Sequence, residues 1–337
     1  MTMADIINGY ELLNDFTSEN AGFCRWTFAR KNGKEYFLKE FVDPIYPQEN
    51  SGAELSERTL KDRKAICKIF ENTKLHLYEE INKISDGNLI RIEEFFRYDS
   101  RYYIAMPRVP DQGITIEEIA SSPLDTRIQL CRTLAHSVMR LHDRGIVHAD
   151  IKPSNVIIKR TRTGRFTAQI IDYDCSFFQM NPPKNEDDLH GDQVYLSPEG
   201  LLFMIGEYGL LTCQMDVFAL GIMFHEYLTG EIPRFNEEEY DYPCEALLED
   251  DVLILSDKLD AIPGMKQLIG WMLEKDAARR IPMLNVFEQL GGDPDRSFGA
   301  VHEGPTPVHE EGPYKEAHRP RGTGGGGFHQ AGAGDLL

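Results

Sequence analysis

Alternating apolar and polar positions dominate the first hundred residues and predict strands. Two of these runs are joined by Asn32-Gly33, the dipeptide most typical of a two-residue hairpin turn. Between them and the last two runs, apolar residues recur at helical spacing from about 55 to 83, which predicts one long helix with an inward face. The residues of that face are Ile66, Phe70, Leu77, Ile81 and Ile84. The predicted strands are YELLND (10–15), CRWTFARK (24–31), KEYFLKEF (34–41), NLIRIEEFFR (88–97) and YYIAMPRV (102–109).

From about residue 114 the pattern becomes mostly helical. Strong helical patterns cover 213–230 and 258–276, and a strand-like pair around a Thr-Gly turn covers 155–172. After about 291 the chain is rich in Gly and Pro and poor in aliphatic residues, which predicts a disordered tail over 291–337. The pattern thus predicts an α+β protein with a five-stranded antiparallel N-terminal lobe (8–109) and a larger, mostly helical C-terminal lobe (110–290).

Composition narrows the function classes. The chain has 337 residues, 41% of them hydrophobic, and no run of the roughly 18–20 apolar residues that a membrane span needs. Its formal net charge of −19 disfavours a nucleic-acid or anionic-membrane partner. Six scattered cysteines show no metal-binding spacing, and no secretory signal opens the chain. We therefore expect reduced thiols and a cytoplasmic protein.

The densest candidate chemistry lies in VHADIKPSN (147–155). Phosphoryl transfer from ATP requires cations on the phosphates, carboxylate and amide oxygens on magnesium, and a carboxylate that orients the acceptor hydroxyl. The chain offers these groups in order: Lys39 in a strand, then Asp150, Lys152 and Asn155, then Asp172 after another strand. The order predicts a phosphoryl-transfer site.

Three further segments follow: GDQVYLSPE (191–199), DVFALG (216–221) and DAARR, which contains Arg280. With these pieces in this order, residues 8–290 resemble the protein kinase family, in its serine/threonine-type branch. The resemblance implies the two-lobed fold of that family. It also implies ATP as co-substrate, Mg²⁺ (or Mn²⁺) as cofactor, and a protein substrate with a Ser or Thr acceptor.

The resemblance also assigns roles to single residues. Lys39 would pair with the α- and β-phosphates, and Asp150 would orient the acceptor hydroxyl. Lys152 would screen the γ-phosphate, while Asn155 and Asp172 would hold the metal.

Other roles concern the nucleotide pocket and the structural support of the site. Met106 would lie at the back of the adenine pocket, before a hinge at 107–109 that includes Arg108 and Val109. Glu199 and Arg280 would form an ion pair. Asp216 would cap the catalytic loop from a buried helix.

The chain departs from the family pattern at several positions. The glycine-rich loop is reduced to TSENAGFC (17–24), in which only Gly22 of three glycines remains. Phe37 replaces a small alanine above the adenine ring, where it either stacks on the base or crowds it. Ala149 replaces the arginine that reads an activation-loop phosphate, which predicts activity without that phosphorylation. Asp174 replaces a glycine, and Asp192 replaces a threonine.

The glutamate that should pair with Lys39 from the long helix is ambiguous. Helical phase favours Glu80, with Glu71 and Glu79 as alternatives and the absence of any such glutamate as a fourth possibility.

Three functions follow from these features. An active serine/threonine protein kinase is favoured because all five groups at phosphate, metal and acceptor are present. The alternative is a pseudokinase that binds ATP or acts as a scaffold, which the altered loop and Asp192 would suit. A small-molecule phosphotransferase is the third, less favoured because it would not be expected to carry the segments at 191–199 and 216–221.

Overall fold

An antiparallel sheet and one long helix form the N-terminal lobe, and the described residues of the C-terminal lobe form seven further helices. This confirms the predicted α+β fold. The computed structural model describes residues 5–19, 24–48, 56–84, 88–110, 112–161, 165–207 and 209–291. The tail predicted at 291–337 lies outside these residues except for Gly291.

Among the described residues, the N-terminal sheet has six strands in the order β1-β2-β3-β4-β6-β5, one more than expected. The additional strand is β1, whose two residues are too few to show an alternating pattern. The strands are β1 (Ile6–Ile7), β2 (Tyr10–Leu12), β3 (Cys24–Lys31), β4 (Lys34–Phe41), β5 (Glu94–Tyr98) and β6 (Arg101–Pro107).

The β3–β4 hairpin turns at Asn32 and Gly33, both with positive φ (51° and 75°), as the Asn-Gly dipeptide predicts. In the resulting register, Lys39 lies opposite Trp26 on β3 and Ile104 on β6. Lys39 thus occupies a central strand, and only 4% of it is exposed.

The long helix α1 (Glu57–Asn82) is capped by Ser56, whose side chain accepts a hydrogen bond from the backbone N–H of Thr59. Leu77 and Ile81 are buried on its inward face, as predicted. Ile66 is 57% exposed, so its assignment to that face is wrong. At about 100° per residue Ile66 lies within about 20° of buried Leu77, at the edge of the buried stripe, whose other members (Cys67, Tyr78 and Ile81) all lie further round the helix in one direction.

The C-terminal lobe is built around α5, nearly all of whose residues are buried. The predicted strand pair is confirmed as the hairpin β8–β9. The helix expected from residue 258 begins only at Met265, as α7, because Pro263 and Gly264 (φ 76°) precede it. The helices are α2 (Ile116–Ser121), α3 (Leu124–His142), α4 (Pro198–Met204), α5 (Gln214–Thr229), α6 (Pro243–Leu248), α7 (Met265–Met272) and α8 (Met283–Gly291). The strands are β7 (Ile146–Val147), β8 (Val156–Arg160), β9 (Phe166–Ile170) and β10 (Phe177–Phe178).

No helix in the described part of the chain combines the length and apolar character needed to cross a membrane.

Candidate active site

The catalytic loop predicted from the sequence connects β7 to β8 and brings three polar side chains together. The Asn155 side-chain amide donates to Asp150 Oδ2 and to the Asp150 carbonyl oxygen, both at 2.8 Å. Lys152 Nζ lies 3.0 Å from the same Asp150 Oδ2. The loop therefore presents a carboxylate that is held by an amide and neutralised by an ammonium group.

Asp216 on α5 supports this loop from below. Its carboxylate, 1% exposed, accepts the backbone N–H groups of His148 at 2.8 Å and Ala149 at 2.9 Å. Ala149 has a φ of 67°, a conformation that residues other than glycine rarely adopt. The two hydrogen bonds to Asp216 hold this strained turn, which confirms Asp216 as the cap of the catalytic loop.

Asp192 contacts the loop through its backbone. Its N–H donates to Asp150 Oδ1 at 3.2 Å, while its own Oδ1 accepts the N–H of Val194 at 3.1 Å. The residue thus supplies a hydrogen-bond donor to Asp150, although its own side chain is a carboxylate.

A second charged cluster surrounds Lys39. Its Nζ donates to Asp172 Oδ1 at 2.9 Å and lies 2.7 Å from Asp174 Oδ2. The backbone N–H of Ile171 donates to the Asn155 carbonyl oxygen at 3.0 Å, which brings Asp172 beside the catalytic loop. The structure therefore assembles Lys39, Asp172 and the catalytic loop into one site.

Burial and charge act in opposite directions in this cluster. Burial favours a lower pKa for Lys39, but Asp174 and Asp172 raise it above its usual value, so that Lys39 carries its proton. Burial, then the neighbouring Asp174, raises the pKa of Asp172. Burial alone would raise the pKa of Asp174 too, but Lys39 and Lys74 lower it. Asp174 is thus the more strongly stabilised anion of the two.

The helix glutamates do not meet Lys39. Glu80 binds Arg144 and Lys83, with N–O distances of 2.5 Å to each, so the preference for Glu80 as the partner of Lys39 is wrong. Glu71 accepts the hydroxyl of Tyr102 at 2.9 Å. Glu79, the other alternative, is exposed. Helical phase places Glu80 near the inward face of α1 but cannot show which cation its carboxylate binds.

The predicted nucleotide pocket is only partly assembled as expected. Met106 is buried opposite Phe37, whose ring stacks on Trp26 with centroids 5.2 Å apart. Arg108 is bound to Glu35 through its side chain (2.8 Å) and its backbone N–H (3.0 Å), so the geometry does not direct it towards a nucleotide.

Val109 and Gly22 are the other two residues expected at the nucleotide pocket. Val109 packs against the hydrophobic core beside this pocket. Gly22 lies outside the described residues.

The remaining predicted ion pair joins the activation segment, here defined as Asp172–Glu199, to the C-terminal lobe. Arg280 donates to both oxygens of Glu199, at 2.5 and 2.7 Å. Both residues are buried, which confirms the predicted pair.

The donor set suits a magnesium ion that also binds phosphate. Asn155 uses its amide nitrogen on Asp150, which leaves its carbonyl oxygen to act as a ligand beside the carboxylate of Asp172. Magnesium takes oxygen ligands and is usually held by one or two protein groups together with phosphates and water. In keeping with this, no group of three or more His, Cys, Asp or Glu side chains among the described residues could hold a metal by itself.

Sequence reasoning missed three members of the Lys39 cluster. Asp174 was noted only as a glycine replacement, yet it contacts Lys39 directly. Cys24 Sγ donates to Asp174 Oδ2 at 3.1 Å, and Lys74 Nζ donates to the Asp174 carbonyl oxygen at 2.7 Å. Only the spacing of two residues between Asp172 and Asp174 could have signalled that both carboxylates might reach one cation.

A buried ammonium group beside carboxylates, facing an aspartate–lysine–asparagine loop, defines a phosphotransferase-type site between two lobes. Comparison with known proteins gives the family. A family model of the protein kinase domain matches residues 59–290, more than two thirds of the chain. The chain therefore belongs to the protein kinase family.

Several curated serine/threonine kinases are similar to this chain. An Aurora kinase from Eremothecium gossypii is 35% identical over 153 residues, which cover 45% of this chain and 38% of that protein. The serine/threonine-protein kinase DCLK3 of Mus musculus is 26% identical over 212 residues, covering 62% and 26%. PrkC of Bacillus subtilis, also a serine/threonine-protein kinase, is 29% identical over 159 residues, covering 46% and 23%. The matches thus span only about a quarter to two fifths of the length of these relatives.

Proposed function

We propose that this protein is a serine/threonine protein kinase that transfers the γ-phosphate of ATP to hydroxyl groups of protein substrates. The observation that carries the proposal is the single site that joins Lys39 and Asp172 to Asp150, Lys152 and Asn155. A pseudokinase fold does not require Lys152 or Asn155, whereas phosphoryl transfer uses both. The named relatives are protein kinases, which favours a protein acceptor over a small molecule.

Each group has a role that its surroundings support. Asp150 accepts hydrogen bonds from Asn155 and Asp192, which fix the carboxylate that would orient the acceptor hydroxyl. Lys152 lies beside Asp150, where it would screen the γ-phosphate. We place the α- and β-phosphates on Lys39, and Mg²⁺ (or Mn²⁺) on Asn155 and Asp172. When bound, the metal would neutralise charge on the phosphates.

The same proposal covers the surroundings of the site. We assign nucleotide binding to residues 8–109, with Met106 and Val109 lining the adenine pocket, and acceptor binding to 110–290. All six cysteines are unpaired thiols, which fits a cytoplasmic location. We further infer activity without activation-segment phosphorylation, because Ala149 has no guanidinium group to bind such a phosphate.

The test is phosphate incorporation from ATP and Mg²⁺ into the protein itself and into casein. Asp150→Asn keeps the shape of the side chain but removes the carboxylate, and we expect incorporation to fall by about 10²-fold or more. The matched control is Asp187→Asn, the same change at an exposed aspartate of the activation segment. Mapping the sites by mass spectrometry should find phosphoserine or phosphothreonine.

Equal incorporation by wild type and Asp150→Asn would contradict this proposal. If ATP stabilised both proteins thermally while neither incorporated phosphate, the pseudokinase alternative would replace it.

A further inference from the structure

Lys39 has a counter-charge that comes from an unexpected element. Members of the family are expected to pair this lysine with a glutamate of the long helix. Throughout the described part of α1, the glutamates bind other groups or face solvent, as the contacts of Glu71 and Glu80 show. The carboxylates that do reach Lys39 both come from the activation segment: Asp172 and Asp174.

We propose that Asp174 is the positioning residue of Lys39 and replaces the helix glutamate in holding this lysine for the nucleotide phosphates. The inference deepens the proposed function and rests on it. Asp174 Oδ2 lies 2.7 Å from Lys39 Nζ, and the Lys39 side chain is only 5% exposed. A contact this short and this well shielded from water is an ion pair that solvent screens only weakly.

Asp172 cannot fill this role equally well. Both of its oxygens accept hydrogen bonds from Lys39, at 2.9 and 3.0 Å, but they are also the oxygens that we assign to the metal ion. A carboxylate that ligates a divalent cation directs lone pairs to that cation. Asp172 is also the more exposed of the two, with 30% of its side chain accessible against 21% for Asp174. Asp174 is therefore the partner that Lys39 keeps when the metal and the nucleotide are bound.

Asp174 is itself fixed from two sides. The Cys24 thiol donates to Asp174 Oδ2 at 3.1 Å, from the first residue of β3. Lys74 on α1 donates to the Asp174 carbonyl oxygen at 2.7 Å. The helix thus contributes a cation that holds Asp174, and Asp174 in turn holds Lys39. α1 therefore contributes a positive charge where a glutamate is expected, and it is connected to Lys39 through Asp174.

The pairing also explains why a carboxylate is tolerated beside a phosphate site. An unpaired anion at this position would repel the nucleotide, whereas Asp174 bound to Lys39 presents the phosphates with an oriented ammonium group. These two views predict opposite results when Asp174 is neutralised, and the experiment separates them.

The experiment compares the affinities for ATP and for adenosine, which lacks the phosphates, by calorimetry with Mg²⁺. For Asp174→Asn we expect the preference for ATP over adenosine to fall about tenfold, with adenosine binding unchanged. Asp174→Glu, which keeps the carboxylate, should retain much of that preference. Lys39→Met should show the same fall in the preference for ATP over adenosine. Lys39→Met/Asp174→Asn should show no further fall, because Asp174 acts through Lys39. Asp187→Asn is the matched control and should match wild type.

The remaining outcomes overturn the inference in distinguishable ways. If Lys39→Met weakened ATP binding while Asp174→Asn matched wild type or bound ATP more tightly, the inference would fail and the proposed function would stand. Equal losses of ATP and adenosine affinity in Asp174→Asn would show a structural role only, which also overturns it. Wild-type protein that does not bind ATP, or Lys39→Met that binds it normally, would overturn the proposed function and the inference together.

Discussion

The buried pair of Arg280 and Glu199 offers a quantitative test of how the C-terminal lobe is held together. Besides both Glu199 oxygens, the guanidinium group donates to the carbonyl oxygens of Glu274 at 2.7 Å, Gln214 at 3.0 Å and Lys275 at 3.0 Å. A guanidinium group has five N–H donors, and these five contacts use all of them. The perturbation of interest is Arg280→Met, which keeps an unbranched apolar stem and removes every donor.

The expected cost follows from what the substitution leaves behind. Glu199 is 7% exposed, so its carboxylate would remain buried without a counter-charge, at a cost of about 3–5 kcal/mol. Folded domains typically have about 5–15 kcal/mol of stability, so this loss is a large part of the total. In Arg280→Met/Glu199→Leu the unpaired charge is gone as well. We expect that variant to recover part of the loss, but not all, because three backbone carbonyl groups still lack their donor.

The assay is urea unfolding followed by far-ultraviolet circular dichroism, with the free energy taken from the midpoint at a common slope. The control is Arg279→Met, the same change at the neighbouring arginine, whose side chain is 72% exposed and lies 3.9 Å from Glu274. That variant should lose less than about 1 kcal/mol. The reasoning is refuted if Arg280→Met is no less stable than Arg279→Met, or if Glu199→Leu makes Arg280→Met still less stable.

Three further predictions concern pH, the adenine pocket and phosphorylation. Burial lowers the pKa of His225, which donates to the Glu231 carbonyl oxygen and accepts the Ser256 N–H, so the neutral ring fits both contacts. As the pH falls below ~6.5, the unfolded chain therefore protonates His225 before the folded chain does, so the stabilisation that is complete above pH ~6.5 is lost. The difference in unfolding free energy between wild type and His225→Gln should shrink from pH 8 to pH 5, and a constant difference would contradict this. Phe37 stacks on Trp26 above the predicted adenine position. If Phe37 crowds the base, Phe37→Ala should bind adenosine at least about fivefold more tightly by calorimetry. Weaker binding would instead show that Phe37 stacks on the adenine ring. Phosphatase-treated protein, verified by intact mass, should phosphorylate casein within about twofold of the untreated rate, and a larger loss would show that activity depends on phosphorylation.

Local features of this chain were predictable from the sequence because short segments determine them. Asp150, Lys152 and Asn155 fall within six positions, so one tight loop is enough to bring their side chains together. The Asn32-Gly33 turn likewise sets the register of β3 and β4, and with it the pairing of Lys39 with Trp26.

Features that depend on tertiary packing were not predictable in the same way. Helical periodicity gives the direction of a buried face but not its width, which is why Ile66, at the edge of the buried stripe, was expected to be buried. Periodicity also cannot tell which cation a glutamate will meet. Glu80 lies near the expected face, but Arg144, from the turn after α3, lies closer to it than Lys39 does and takes its carboxylate.

Asp174 and Asp192, which replace a glycine and a threonine of the family pattern, lie in the same activation segment and both have partners. Asp174 contacts Lys39 through its side chain, and Asp192 donates to Asp150 through its backbone N–H. The activation segment therefore contacts the phosphate-binding lysine and the catalytic aspartate of the proposed mechanism at the same time. In a site arranged this way, displacement of the segment would release both groups together. With Ala149 in place of a phosphate-reading arginine, the contacts of the segment itself, rather than an added phosphate, would set whether the site is assembled.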